Sequence, residues 1–204
     1  MMQAEASALD GGFAQPVFDA QATFRAIMDA MARPATVMQV DPRAVPPAPL
    51  QSLAGAIACT LIDPDTPVWL DSVLGDNEAL RAWLAFHANA RFVEAPAGAA
   101  FALVADPSAM PPLGRFAQGS QEYPDRSATL ILQIESFEGG APLTFHGPGI
   151  KGTASMAPLG LPSDFAGQWD ENVSRFPRGI DLILIAGDAI ACLPRSARLV
   201  EGEN

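Results

Sequence analysis

Residues 176–185 read FPRGIDLILI, a polar turn that runs directly into a continuous apolar strand. Because such a strand has no polar alternation, both of its faces must be covered, as in the middle of a sheet sandwiched by helices. Residues 128–134 (ATLILQI) form a second, mostly apolar run of the same kind. We therefore predict an α/β fold organised around these two strands.

The turn before the first of these strands brings charged groups to the edge of the predicted core. Arg178 and Asp181 lie at the strand entrance, and Gly179 between them is free to adopt a positive φ. Two interpretations are open. The charges form a structural ion pair that closes the strand end, or they belong to a ligand or partner site.

Length and composition predict a single domain. A chain of 204 residues buries roughly 70% of its unfolded surface when it folds, so it forms a sizeable core without disulfide bonds or metals. Proline and glycine are scattered along the chain, which is typical of many short elements. We expect a loose N-terminal lead-in over residues 1–15 and a single α/β domain over residues 16–204.

The formal net charge of -11 and the pI of about 4.4 argue against nucleic acid or an anionic membrane as a partner, since such surfaces would repel the chain. Residues 1–10 lack the features of a signal peptide, and no run reaches the roughly 18 to 20 apolar residues of a membrane span. We expect a cytoplasmic protein. Cys59 and Cys192 lie in apolar runs and are too few for a disulfide framework or a metal cluster. We expect both to be reduced core residues, and we expect no metal site.

The helical spacing of apolar residues predicts four helices. The second covers residues 50–62, the third follows Asn77 as its N-cap, and the last is capped by Ser163 or Asp164. The first begins at Pro16, and its predicted buried stripe consists of Val17, Gln21, Phe24, Ile27, Met28 and Met31.

One histidine falls on the apolar face of the third predicted helix. His87 shares that face with Leu80, Trp83 and Leu84. A core histidine that bonds to a backbone carbonyl and a catalytic base both fit this position.

Short apolar runs predict further strands at residues 35–40, 68–70, 91–94 and 101–104. Residues 143–145 follow the Gly139-Gly140 turn, and we predict that they pair antiparallel with residues 128–134. The chain reverses again at Gly187-Asp188, so the closing strands should also be antiparallel. Together these elements predict a three-layer α/β fold with a mixed β-sheet.

Two loops are candidates for a functional site. Residues 107–127 are polar and interrupted by proline and glycine, and loops of this length often serve a site or an interface. Residues 146–153 (HGPGIKGT) combine His146, three glycines and Lys151, the only lysine of the chain. Their order differs from that of a phosphate-binding loop, and Pro148 lacks the backbone donor that such a loop would use. A ligand site and a simple turn at the end of a strand both remain open.

Several of these segments occur together, in the same order, in a known family. They are Asp19-Ala20-Gln21, Phe24-Arg25, Ala30-Met31, residues 65–70, residues 128–133, residues 147–150, residues 176–184 and residues 193–195. The chain resembles the H-subunit family of the bacterial carbon-phosphorus lyase system, which breaks down alkylphosphonates. The resemblance covers nearly the whole chain from about residue 13. Ala35, Ser127 and Ser196 depart from the family pattern at positions that affect turn geometry.

The resemblance implies a homodimerising α/β subunit whose fold is similar to the large domain of pyridoxal-phosphate-dependent transferases, without that cofactor. Pyridoxal chemistry needs a Schiff-base lysine, and the sole lysine, Lys151, follows a Gly-Pro-Gly turn. A stand-alone pyridoxal enzyme would have to use it. We expect no cofactor.

The resemblance also implies the partners and the reaction. In the family, subunits G, H, I and J form a core complex. Together with a further nucleotide-binding subunit, this complex lets the phosphonate displace adenine from the ribose carbon of ATP, which leaves a ribose phosphonate triphosphate. The main nucleosidase activity of that family resides in subunit I, so we expect this chain to be a required accessory subunit without an assigned catalytic residue.

An alternative function is that this chain alone binds a small phosphonate or nucleotide, or acts on it as an enzyme. Arg178, Lys151 and Arg195 are candidates to hold the ligand oxygens, because the arginine fork suits such groups. With His146 and Asp181 they form the predicted ligand-binding set.

Overall fold

The structure, a computed structural model, describes residues 9–200, so residues 1–8 of the predicted lead-in lie outside the described range. Helices and strands are mixed along this part of the chain. In chain order they are α1 (Pro16–Ala32), β1 (Met38–Gln39), α2 (Ser52–Leu61), β2 (Val68–Leu70), α3 (Ser72–Gly75), α4 (Glu78–Ala88), β3 (Phe101–Val104), β4 (Thr129–Gln133), β5 (Leu143–His146), β6 (Ala154–Met156), α5 (Phe165–Ser174), β7 (Asp181–Ala186), β8 (Ala189–Leu193) and β9 (Arg198–Leu199).

The two apolar strands predicted at residues 128–134 and 176–185, β4 and β7, lie side by side at the centre of the main sheet. The strand order of this sheet is β1-β8-β7-β4-β3-β2. Strands β2, β3, β4 and β7 are parallel, whereas β8 is antiparallel to β7 and β1 is antiparallel to β8. The predicted mixed sheet, the central position of both strands and the antiparallel reversal at Gly187-Asp188 are confirmed.

Alternating residues of the central strands pack into two separate cores. Leu130 and Leu184 belong to the core that α5 and a small second sheet cover. Ile131 and Ile183 point the other way, into the core formed with α1, α2 and α4. All four side chains are essentially fully buried. The arrangement has three layers, as predicted, and it explains why these strands show no polar alternation.

The predicted pairing of residues 143–145 with residues 128–134 is wrong. Both edges of β4 are already paired, with β3 on one side and β7 on the other. Strand β5 instead joins β6 and β9 in a three-stranded antiparallel sheet, in which Phe145 pairs with Ala154 and Leu199. Because Phe145 is fully buried, this small sheet packs its apolar face onto the main sheet.

Two other predicted strands are shorter than expected. The run at residues 35–40 contributes only the two residues of β1. The run at residues 91–94 contributes a single bridge, between Phe92 and Val68.

Helix α1 has the predicted limits but buries a different face. Its buried side chains are Asp19, Thr23, Ile27 and Ala30. In the predicted stripe, Val17, Phe24 and Met28 are 68%, 49% and 53% exposed. The small inward residues allow close packing on α2 and β8, and the polar ones are satisfied locally: Thr23 Oγ1 donates to the Asp19 carbonyl over 2.9 Å.

Helix α4 follows the prediction closely. Asn77 Oδ1 accepts a hydrogen bond from the Leu80 amide over 3.0 Å, which makes Asn77 the N-cap. Trp83 is fully buried, and its Nε1 donates to the Asp10 carbonyl over 2.8 Å. His87 Nε2 lies 2.7 Å from the Leu9 carbonyl oxygen, which accepts its proton. The core-histidine interpretation is therefore confirmed, and these contacts hold residues 9–10 on the helix.

Within residues 9–200, none of the helices is long and apolar enough to cross a membrane.

Candidate functional site

The entrance of β7 is closed by an ion pair, and the arginine of that pair is Arg195. Asp181 Oδ1 accepts hydrogen bonds from the Arg195 backbone amide over 2.7 Å and from its Nε over 3.1 Å. Asp181 Oδ2 contacts Arg195 Nη2. The side chains of Arg195 and Asp181 are only 15% and 20% exposed. The charges therefore stabilise the strand end from a largely shielded position.

The other donors of Arg195 are also engaged. Nη1 donates to the carbonyl oxygens of Pro124 over 2.8 Å and Pro177 over 3.4 Å. Nη2 donates to Ser127 Oγ over 2.6 Å. Because a guanidinium group has five N–H donors, no donor of Arg195 is left for a ligand. The residue ties the end of the 107–127 loop and the turn before β7 to the end of β8.

The glycine of the turn is fixed from the other side by Asn172. This fully buried side chain exchanges two hydrogen bonds with the backbone of Ile180, of 2.8 Å and 3.0 Å. Gly179 has φ +117°, and a Cβ at this position would lie 2.9 Å from Asn172 Oδ1. Only glycine fits both the conformation and the space.

The side chain of Arg178 lies outside this network. It is exposed and has no hydrogen-bond or ion-pair partner among residues 9–200. Its neighbour Arg175 bonds instead, through Nη1 to Gln118 Oε1 over 2.9 Å and through Nη2 to Glu171.

The loop of residues 146–153 is the turn between β5 and β6. Gly149 has φ +83°, and a Cβ there would lie 2.4 Å from the carbonyl oxygen of Ala32 at the end of α1. The glycine therefore allows the turn to pack against that helix end. Lys151 is exposed and has no side-chain partner in the described part of the chain.

A cleft of about 960 Å³ lies between α5 and the outer side of the small sheet. The β5 and β9 strands place His146 directly opposite Arg198. Neither side chain makes a hydrogen bond or an ion pair within residues 9–200. Of the five predicted ligand-binding residues, only His146 lies in this cleft. Asp181 and Arg195 pair with each other at the entrance of β7. Arg178 and Lys151 are exposed at separate places.

A second surface feature runs along α1. Val17, Gln21, Phe24 and Met28 follow one line on the exposed side of the helix, with Arg25 beside them. We call these five residues the α1 surface. Four of them, Gln21, Phe24, Arg25 and Met28, line a shallow apolar groove of about 500 Å³ together with Ala20 and with Thr60 of α2.

The two cysteines and Asp19 have environments that fit structural roles. Cys59 and Cys192 are free thiols, and burial raises the pKa of Cys59 to about 12 and that of Cys192 further. The hydrogen bonds from the Gln15 amide and from Arg43 hold the pKa of Asp19 below its usual value. Among residues 9–200, no group of three or more histidine, cysteine or acidic residues is arranged to hold a metal.

Comparison with known proteins shows to which family the chain belongs. The sequence profile of the family described as bacterial phosphonate metabolism protein (PhnH) matches residues 11–200. The chain belongs to the PhnH family. It is 46% identical over 198 residues to the alpha-D-ribose 1-methylphosphonate 5-triphosphate synthase subunit PhnH of Rhizobium meliloti (strain 1021), covering 97% of this chain and 98% of that protein.

A more distant relative shares part of the chain. HtxG of Stutzerimonas stutzeri, provisionally named a C-P lyase subunit protein, is 35% identical over 81 residues, or 40% of this chain and 42% of that protein. The membership predicted from sequence resemblance is thereby confirmed.

Sequence reasoning missed the role of Asn172 and the position of Arg198. The sequence did hold a signal that Arg195, and not Arg178, pairs with Asp181. The β7–β8 hairpin pairs Leu182 with Leu193 and so brings residue 195 close to Asp181. Arg198 had no such signal, since its partner His146 is remote in sequence and the two strands are joined through α5 and the β7–β8 hairpin.

Proposed function

We propose that this chain is a cytoplasmic, accessory subunit of a carbon-phosphorus lyase core complex, required for coupling phosphonate to the ribose of ATP with release of adenine. The names of its relatives support the assembly, because both are named as subunits. The partners we propose are a second copy of this chain and the G, I and J subunits.

The observation that carries the proposal is the α1 surface. Val17, Phe24 and Met28 face outward along this helix, whereas Ile27 is the one large apolar side chain among its four buried residues, which is nearly the reverse of an ordinary surface helix. Apolar side chains in a contiguous exposed line are typical of a surface that another protein covers. A partner that covers the outward side chains would therefore add to the stabilisation that α1 already gains by packing on α2 and β8.

We assign the α1 surface to a second copy because of its charge. The chain carries 23 acidic and 12 basic residues, so two copies repel each other over most of their surface. The α1 surface contains no carboxylate, and its one charge is the cation of Arg25. The nearby Asp29 already pairs with Arg33 over 3.7 Å. Two copies can therefore approach here without repulsion between acidic groups.

The test compares Phe24→Asp with Phe86→Asp. Phe86 is a matched control, since it is a phenylalanine on the exposed side of another helix, α4, and is 61% exposed. By light scattering after size-exclusion chromatography, we expect the wild type and Phe86→Asp to be dimers and Phe24→Asp to be a monomer. Burying an unpaired carboxylate costs several kcal/mol, or more than about 100-fold in dimer affinity.

Co-expression with the G, I and J subunits tests the assembly separately. We expect the wild type and Phe86→Asp to elute with the other three subunits. A wild-type monomer that still joins the other subunits would contradict the second-copy assignment alone. A chain that ignores all three subunits would contradict the proposed function itself.

The likeness to the large domain of pyridoxal-phosphate-dependent transferases is part of this proposal. The central block of parallel strands, bordered by the antiparallel β8, supports it. Lys151 does not fit a Schiff-base role, because it is exposed in a turn and not enclosed in a site. We therefore propose no pyridoxal chemistry for the chain.

A further inference from the structure

We propose that the cleft between α5 and the small sheet binds a small molecule with a phosphate or phosphonate group at one end and a hydroxyl or ammonium donor at the other. Arg198 and His146 hold the oxyanion, and Asp170 accepts from the donor. Ligand binding at this cleft is a second activity of the chain, independent of its assembly through the α1 surface.

Two side chains that can carry positive charge lie opposite each other on neighbouring strands of the small sheet. Arg198 and His146 are direct partners in an antiparallel ladder, so their Cβ atoms lie about 4.5 to 5.5 Å apart on the same face of the sheet. Both face the cleft. A tetrahedral oxyanion fits between them, because the arginine fork can give two parallel hydrogen bonds and the imidazole a third.

Arg198 has no ion-pair partner within residues 9–200, although the chain is acidic. Carboxylates outnumber basic groups by 23 to 12, yet Arg198 forms no ion pair within residues 9–200. Arg33, Arg43, Arg175 and Arg195 have carboxylate partners, whereas the other arginines of the described range, Arg198 among them, have none; of these, only Arg198 lines the cleft. The guanidinium donors of Arg198 are thus available to a ligand, whereas those of Arg195 are fully used.

The side of the cleft formed by α5 carries a carboxylate. Helix α5 contributes Asp170 and Ser174, with Val173 between them, and β9 contributes the apolar Leu199. The carboxylate of Asp170 would repel a second anionic group, but it accepts hydrogen bonds from a hydroxyl or an ammonium group. A cleft with cationic groups on the small sheet, a carboxylate on α5 and apolar residues on both sides selects a ligand with two unlike ends.

Three probes test the site by isothermal titration calorimetry: inorganic phosphate, methylphosphonate and 2-aminoethylphosphonate. The variants are Arg198→Gln and Asp170→Asn. The control is Arg178→Gln, since Arg178 is also exposed and without a side-chain partner in the described range but lies outside the cleft. We expect saturable binding of 2-aminoethylphosphonate to the wild type and to the control.

Arg198→Gln should weaken binding of both phosphonates by about 10- to 100-fold, the effect of losing a charge-assisted hydrogen bond pair. Asp170→Asn should weaken 2-aminoethylphosphonate and leave methylphosphonate unchanged or tighter. Equal losses in Arg198→Gln and Arg178→Gln would overturn the site. Absence of saturable heat for every probe with the wild type would overturn it as well, and neither result would affect assembly. Binding of inorganic phosphate alone would overturn the part assigned to Asp170.

Discussion

Replacing Arg195 by methionine should destabilise the domain far more than the same replacement of Arg178. Arg195→Met keeps most of the hydrocarbon stem but removes every guanidinium donor at the entrance of β7. Asp181 then retains only the backbone amide of residue 195, which donates to its Oδ1 over 2.7 Å. The carbonyl oxygen of Pro124 and the hydroxyl of Ser127 lose their donors as well.

The magnitude follows from the shielding of the pair. Breaking a buried ion pair costs about 3 to 5 kcal/mol, because the remaining charge is left without its partner. The side chains of Arg195 and Asp181 are 15% and 20% exposed, so water partly replaces the lost contacts. We expect the free energy of unfolding to fall by about 3 kcal/mol, at the low end of that range. For Arg178→Met, whose side chain is exposed, we expect a change within about 0.5 kcal/mol.

Urea unfolding, followed by far-ultraviolet circular dichroism and by tryptophan fluorescence, measures both changes. Of the three tryptophans that contribute to the fluorescence, Trp169 is fully buried beside this region and donates to the Ala197 carbonyl over 2.9 Å. Adding Asp181→Asn to Arg195→Met should recover part of the lost stability, since it removes the uncompensated charge. Equal destabilisation by Arg195→Met and Arg178→Met would refute the reasoning, and so would a double variant less stable than Arg195→Met.

Two further outcomes concern the core and the response to acid. Leu184→Ala should lower the free energy of unfolding by about 2 to 5 kcal/mol in the same assay, because Leu184 is fully buried and the truncation leaves a cavity; a loss below about 1 kcal/mol would contradict the central place of β7. The pKa of Asp19 is lowered in the folded state, so its carboxylate stabilises the fold above the usual pKa of about 4 and this contribution disappears as the pH falls through the lower folded-state value. Asp19→Asn should therefore reduce stability at neutral pH and show a weaker loss on acidification below about pH 4 than the wild type, and parallel pH profiles would contradict the lowering of this pKa by the Gln15 amide and Arg43.

The sequence was sufficient for the centre of the fold. The apolar runs at residues 128–134 and 176–185 predicted two interior strands, and β4 and β7 are neighbours at the centre of the main sheet. Strands buried on both faces leave a direct mark on sequence, because nearly every position is apolar. The buried exception in β4 is Gln133, which accepts from the Gln51 amide and donates to the Pro49 carbonyl. The N-cap of α4 and the reversal before β8 were also readable, since both depend on a few consecutive residues.

Contacts between remote segments were not readable in the same way. Helical spacing predicted a buried stripe on α1, but Asp19 lies inward because Arg43 is there to pair with it over 3.0 Å. Periodicity gives the angle between side chains and not the direction in which the helix is turned. Similarly, β5 could not be assigned to its sheet from its own residues, since the edges of β4 were occupied by strands from elsewhere.

The candidate sites show the same division. Arg178 is next to the turn in sequence, yet Arg195 closes it because the β7–β8 hairpin folds that residue back onto Asp181. The cleft pairs His146 with Arg198, which the chain brings together only through the small sheet. The sequence by itself determined which segments form the buried centre and which family the chain resembles, because a buried segment is visible as a run of apolar residues. Only the tertiary structure decided which charges pair, which stay available and which apolar side chains remain outside, because these depend on distances between segments far apart in the chain.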